Sequence, residues 1–321
     1  MGSPFLHLSI ADWVNDQVTA FVQQYGDAFH NFSVLMLRYV LVPLEGLLRA
    51  MPVWVVLAAV GLLAWHASRR VGVALLFMGL LYLIGCFGLW DKLMQTFALM
   101  FVSTLISVAL GIPIGILAAS SGMLRRLLLP VLDVMQTLPS FVYLIPVLML
   151  FGLGKVPAIL ATVVYALPPL IRLTDLGIRH VDGEIVEAAR AFGTTRWQML
   201  FQVQLPLARP SIMAGINQTT MMALSMVVIA SMIGSRGLGE DVLAGIQTLD
   251  VGKGTQAGIA IVILAIVIDR ISQGYGQGRR TRRLSRSQKQ PSRIPFRRAR
   301  AEAADEANAA KSSDLSGQPA K

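Results

Sequence analysis

The chain has 321 residues, 55% of them hydrophobic and 14% charged, with a mean hydropathy of +0.62. Soluble domains carry about a quarter of their residues as charges, so a water-soluble globular enzyme is excluded and a polytopic helical membrane protein fits. The net charge of +10 is local: 13 of the 28 Lys and Arg lie in residues 270–321, and acids nearly balance the rest. A single Cys, Cys86, sits inside an apolar run, which excludes a disulfide framework and a Cys-based metal site.

Residues 1–30 show no cleavable leader pattern, because they carry Asp12, Asp16 and Asp27 and lack a continuous apolar core. Trp13, Val14, Val18, Phe21 and Val22 recur at spacings of three and four, with Asp12, Asp16, Gln23 and Gln24 between. This predicts an amphipathic helix on the outer membrane surface or packed on the bundle, and no span. Seven apolar segments follow, approximately 51–66, 71–90, 94–118, 127–152, 156–174, 211–234 and 255–272, against the roughly 20 residues that cross a bilayer. The first two make an accessory pair over residues 51–93, with Trp54 and Trp65 as interfacial anchors. The fourth and fifth hold Pro130, Pro139, Pro146, Pro157, Pro168 and Pro169, and are expected to be kinked or broken and buried in the bundle. Residues 274–321 read as a basic, disordered tail. On a membrane protein such an arm faces anionic lipid or solvent rather than nucleic acid.

Orientation follows from the Lys and Arg of the loops. Arg69–Arg70, Arg125–Arg126, the group Arg172, Arg179, Arg190, Arg196 and Arg209, and the tail all alternate onto one side, the cytoplasm. The opposite loops carry Lys92, Lys155, Arg236 and Lys253 against Asp91, Glu240, Asp241 and Asp250. That places residues 1–50 outside and the C-terminus inside.

No catalytic constellation emerges. Gly154-Lys155 and Gly252-Lys253 lack the spacing and the Ser or Thr of a Walker A loop. His7, His30, His66 and His180 are scattered, with no zinc pair, and no nucleophile elbow or dinucleotide fingerprint occurs. Catalytic residues and metal ligands are therefore both expected to be absent. Asp133 and Asp269 are the acids inside expected spans; both lie near cytoplasmic ends and read as structural.

The connection between the fifth and sixth spans, residues 175–210, is long and patterned. Asp182 is placed to cap a short helix, with Glu184 in its first turn. Ile185, Ala188, Ala189 and Phe192 share one face, and Gly193 ends the helix. Thr195 with Gln198 predicts a capping box for a second helix, expected to end before Pro206. A cytoplasmic helix with small residues at the centre of its face suits a groove on another protein.

The sequence Glu187-Ala188-Ala189, three residues, Gly193, nine residues, then Val203-x-Leu205-Pro206 resembles the EAA loop of permease subunits of bacterial ABC importers. Val203 stands where that pattern often has Ile. The resemblance spans approximately residues 94–273, the expected permease core. It narrows to the glycine betaine, proline betaine and choline (quaternary amine) subgroup through the runs 136–146 and 222–234, and through Gly237-Leu238-Gly239 followed by 245–252.

The resemblance implies the transmembrane domain of a type I ABC importer, all-α, in the bacterial inner membrane, with about seven membrane helices. It implies a homodimer of permeases, two copies of an ATP-binding subunit at the cytoplasmic face, a substrate-binding protein outside, and surrounding lipid. ATP and Mg then belong to the partner ATPase, with no cofactor in this chain. The implied function is ATP-driven import of quaternary amine osmolytes (glycine betaine, proline betaine, choline or carnitine), with the loop residues Glu187, Ala188, Ala189, Gly193, Val203, Leu205 and Pro206 coupling hydrolysis to alternating access. Phe141, Tyr143 and Tyr165, on the proline-rich spans, are candidates for a cation–π path or for ordinary packing. Gly111 and Gly115 allow a close helix contact. Two other functions stay open: an ion-gradient-driven carrier or channel for cationic osmolytes, and a membrane scaffold or sensor working through its tail.

Overall fold

The computed structural model describes residues 10–276; the expectations for residues 1–9 and for the tail from residue 277 fall outside the described residues. Among the described residues every regular element is helical. Helix α1 (Ile10–Met36) runs through a π turn at Leu37–Leu41 into α2 (Val42–Ala50). The helix expected around Trp13–Val22 is thus the start of a longer rod. Its Asn15–Ala50 stretch is long and apolar enough to cross a membrane by length and composition, where the polar residues of the first turns predict no span. The difference comes from the second half, where Phe32, Val34, Leu35, Met36, Leu37, Val40 and Leu41 form a nearly unbroken apolar run. Phe29 and Phe32 meet the ring of Phe151 at 5.0 and 6.3 Å. Further along, Glu45 binds Lys155 at 2.5 Å and Arg49 forks onto Asp91.

Helices α3 (Val53–Ser68) and α4 (Val71–Cys86) form a hairpin turned at Arg69–Arg70. Arg69 adopts φ 57° and returns its N–H to the Trp65 carbonyl at 2.7 Å. Each helix has 16 residues, about 24 Å at 1.5 Å per residue, short of the ~30 Å hydrocarbon core. Among the described residues five helices meet the length and apolarity of a span, or six if a bent pair counts as one. The expected number is about seven; α3 and α4 fall below it and residues 15–50 enter it.

The core begins with α5 (Trp90–Ser120), which passes through Ser121 into α6 (Gly122–Thr137). Ser121 is extended, and its hydroxyl accepts the Leu124 N–H at 3.3 Å, so one residue both ends α5 and caps α6. The expected break in the fourth apolar segment is sharp. Leu138, held extended by the following Pro139, ends α6; a 3₁₀ turn (Ser140–Tyr143) leads into α7 (Leu144–Phe151), and the two halves meet at 111°. The Tyr143 hydroxyl donates to the Met135 carbonyl, taking up a carbonyl orphaned at the end of α6.

Helix α8 (Lys155–Arg179) is the most buried of the spans and lies against α5 and α11 (Leu205–Ala230). Small residues set these distances. A Cβ on Gly115 would lie 2.6 Å from Thr174 Cβ, and one on Gly111 2.9 Å from Leu170 Cδ2. The glycine pair picked out by its spacing therefore seats α5 on α8, and Gly177 does the same for α8 against Ser211 of α11. Leu99, Ile159, Ala166, Leu170, Ala223 and Val227 are buried at this junction. Between α8 and α11 lie α9 (Gly183–Ala191) and the short α10 (Arg196–Gln198). After a π segment at Ser231–Ser235, α12 (Leu238–Thr248) packs on α13 (Val251–Gly276). The Leu238 N–H donates to Thr96 Oγ1 at 3.0 Å, and Lys92 binds Asp241 at 2.7 Å, tying α12 to α5.

Candidate functional site

The patterned connection forms as its local signals dictate. Asp182 accepts the Glu184 N–H at 3.0 Å and opens α9. Gly193 stands at φ 77°, in the left-handed region that stops a helix and favours glycine. The Gly193 N–H returns to the Arg190 carbonyl at 2.9 Å, and Thr194 Oγ1 to the Ala189 carbonyl at 2.8 Å. Thr195 and Gln198 exchange the two bonds of a capping box, at 2.9 and 3.4 Å.

One boundary differs from expectation. The second helix does not end before Pro206; it continues through a π segment at Met199–Gln204 into α11, giving an unbroken Arg196–Ala230. Proline normally clashes with the carbonyl four residues back. Here Pro206 stands in the first turn of α11, directly after the wider π turn, where that conflict is relieved. The connection is therefore one free helix, a sharp turn at Gly193, and a rod joined rigidly to a membrane span.

The expected site residues fall into two groups. Glu187, Ala188, Gly193 and Pro206 are exposed, while Ala189, Val203 and Leu205 are half-buried. Leu205 packs with Ile178, Ala208 and Ile212, anchoring the rod to α8 and α11. α9 has no buried residue, and Phe192 beside it is 90% exposed. The loop motif also leaves out Trp197 and Phe201, which stack at 5.7 Å and an interplanar angle of 14° and stand open on the rod. Their four-residue separation is the signal that would have found them. Phe192, Trp197 and Phe201 thus leave an uncovered apolar face at a bend held by two caps.

Within the membrane, Tyr143 and Tyr165 come together edge to face at 5.8 Å, whereas Phe141 projects from the 3₁₀ turn, 56% exposed. Tyr143 is buried among Leu144, Ala158, Ala161 and Met226. Asp133 ion-pairs with Arg172, and Asp269 accepts from Asn217 at 3.1 Å and from Gln273 at 2.7 Å, so both acids are tied between or along helices. A third acid belongs with them. α8 runs to Arg179, five residues past the expected end of the span, and encloses Asp175, buried between Arg125 at 3.0 Å and Arg179 at 3.1 Å.

Residues 111–280 match the family described as the binding-protein-dependent transport system inner membrane component. The chain belongs to that family. It is 46% identical over 275 residues to the glycine betaine/proline betaine transport system permease protein of Escherichia coli K12, covering 86% of this chain and 77% of that one. It is 42% identical to the glycine betaine/carnitine transport permease protein of Listeria monocytogenes, covering 84% of this chain and 96% of that one. Among solved structures, the MetNI methionine ABC transporter in an inward-facing conformation superposes with a TM-score of 0.53 at 22% identity, over 59% of this chain and 94% of that chain. The fold is thus the all-α transmembrane domain of a type I ABC importer, and the chain is a multi-pass inner-membrane transport subunit. The matched region takes in α9, the Gly193 turn and the rod into α11.

Proposed function

We propose that this chain is the permease of an ATP-driven importer of small quaternary amines of the glycine betaine class. The observation that carries this reading is the doubly capped, exposed α9–α10 connection, fused without a break to span α11. Such a rod transmits rigid-body motion. Closure of a separate ATPase dimer, which binds ATP and Mg, would push α9 and swing α11, and with it α8, between outward- and inward-facing arrangements. Glu187 anchors the loop by a polar contact, Ala188 and Ala189 allow close approach, Gly193 sets the bend, and Val203, Leu205 and Pro206 join the rod to its span. The exposed Trp197–Phe201 stack adds an aromatic anchor of the kind that dominates interfaces.

In this reading two permease copies pair, two ATPase subunits sit at the cytoplasmic end marked by α9, and a binding protein docks at the opposite end. The Lys and Arg of the loops put the C-terminus inside. Residues 51–93 then form an accessory pair, 94–273 the permease core and 274–321 a basic tail, while the Asn15–Ala50 rod enters the membrane as a further span. Tyr143, Tyr165 and Phe141 lie along the path on the broken α6–α7 span and on α8. The relatives' names support the substrate class, glycine betaine being common to both.

The test is uptake of radiolabelled glycine betaine into proteoliposomes holding the permease with its ATPase and binding protein. Uptake that requires both ATP and the binding protein is expected. Uptake driven by an ion gradient without ATP would contradict the proposal and favour a secondary carrier.

A further inference from the structure

A cavity of about 370 Å³ lies where α6, α8 and α11 meet. Its polar lining comes from Arg125 and Gln136 of α6, Arg172 and Asp175 of α8, and Gln218 of α11. At 1.5 Å per residue, Arg172 stands about 10 Å inside the Arg179 end of α8, and Gln218 about 20 Å inside the Leu205 end of α11. The cavity therefore lies within the spans, where ionisable groups are costly and mark either ion pairs or a ligand path.

Ion pairing accounts for only part of this cluster. Arg125, Arg172 and Arg179 face the carboxylates of Asp133 and Asp175, three positive charges against two negative. Arg172 donates from Nη2 to Asp133, which is itself 64% exposed, while its buried Nε has no hydrogen-bond partner among the described residues. Arg172 thus lines the cavity with a guanidinium whose hydrogen-bonding capacity is only partly used, and such a group matches an anionic oxygen. Tyr165, Pro169 and Arg172 follow the i, i+4, i+7 spacing of one helix face, and Pro169 and Arg172 both line the cavity. Moving toward the cytoplasm, that face offers an aromatic ring, which attracts a quaternary ammonium, and then a guanidinium.

We infer that this cavity is a transient binding site for the anionic end of a zwitterionic quaternary amine, held by the Arg172 guanidinium with the side-chain amides of Gln136 and Gln218. The inference rests on the importer function proposed above and adds a selectivity to it. The permease itself distinguishes glycine betaine, which carries a carboxylate, from choline, which has the same trimethylammonium head and a hydroxyl in its place. The surplus positive charge favours the first and repels the second.

The experiment uses the complete complex in proteoliposomes, with the wild type scored first. Loss of a charge-assisted hydrogen bond predicts that Arg172→Gln lowers glycine betaine uptake roughly tenfold or more, with partial recovery in Arg172→Lys. Asp133→Asn breaks the same ion pair but keeps the guanidinium, and is expected to stay within about twofold of wild type, as for an exposed pair. Equal losses in Arg172→Gln and Asp133→Asn, or no loss in Arg172→Gln, would overturn the site and leave the ion pair merely structural. A second arm needs no transport: in a Cys86→Ser background, the thiol of Leu176→Cys, which lines the cavity but holds no part of the ligand, is labelled by a methanethiosulfonate reagent. Glycine betaine is expected to slow that labelling and choline to leave it unchanged; equal effects of both, or of neither, contradict the inference. A wild-type complex without ATP-driven uptake would overturn the importer function, and the labelling would still decide the cavity.

Discussion

Gly115 and Gly193 show two different reasons for a glycine. At Gly193 nothing lies within 4 Å of where a Cβ would stand, so the requirement is purely the left-handed backbone at φ 77°. At Gly115 the backbone is ordinary helix, and the requirement is space: Thr174 Cβ and the Ile171 carbonyl oxygen would lie 2.6 and 2.9 Å from a new Cβ. Gly115→Leu must therefore push α5 off α8. Overpacking of this kind costs about 1–3 kcal/mol, and the purified variant is expected to unfold at a lower temperature than wild type. An unchanged unfolding temperature would mean that the α5–α8 contact is looser than these distances state. The sequence shows both glycines but does not separate the two reasons, since the second depends on which helix lies opposite. Asp182 and Thr195 are the reverse case. Their caps are local, formed within three residues, and so were legible from spacing alone. Asp175 was hidden because its burial depends on Arg125, 50 residues earlier.

The α9–α11 unit behaves as a free helix, a hinge and a rod. Its apolar exposure sits on Phe192, Trp197 and Phe201, at 90%, 71% and 57%. If this is the face that an ATPase covers, truncating the stacked pair removes the interface anchor without touching the membrane core. Trp197→Ala with Phe201→Ala is expected to weaken ATPase co-purification by roughly tenfold or more, an ordinary hot-spot effect. Full retention of the ATPase would place the contact elsewhere. At this scale the sequence reading went wrong at Pro206, for a definite reason. Proline is a stop signal where an α-helix would need its N–H, and the π segment before it removes that need. The π turn leaves no mark in a single sequence that proline chemistry would reveal. The break between α6 and α7 was legible, because Leu138-Pro139 forces an extended residue in any context. The long N-terminal rod was not, because its polar start masked the apolar run behind it.

For the whole molecule, the described helices form the transporter framework, and the proposed mechanism runs through them without the basic tail. A chain ending at Gly276 is accordingly expected to support ATP-dependent uptake within about twofold of the full chain; with the permease core intact, only weak surface electrostatics are lost. Collapse of uptake on that truncation would promote a tail-driven sensor. What composition and hydropathy state well is the class of molecule, since the demands of a bilayer apply to every residue of a span. What they state poorly is which short helices cross it. α3 and α4 read as spans by apolarity and fall short by length, whereas residues 15–50 read as no span from their polar start and meet both length and apolarity. The central claim is that α9 and the rod behind it carry motion from an ATPase into the membrane. The most direct test is ATPase turnover of the reconstituted complex, with and without substrate-loaded binding protein, in wild type and in a Glu187→Ala, Gly193→Asp double variant. The account predicts stimulation in the wild type and its loss in the variant, with the permease still folded in the membrane. Stimulation that survives in the variant would contradict it.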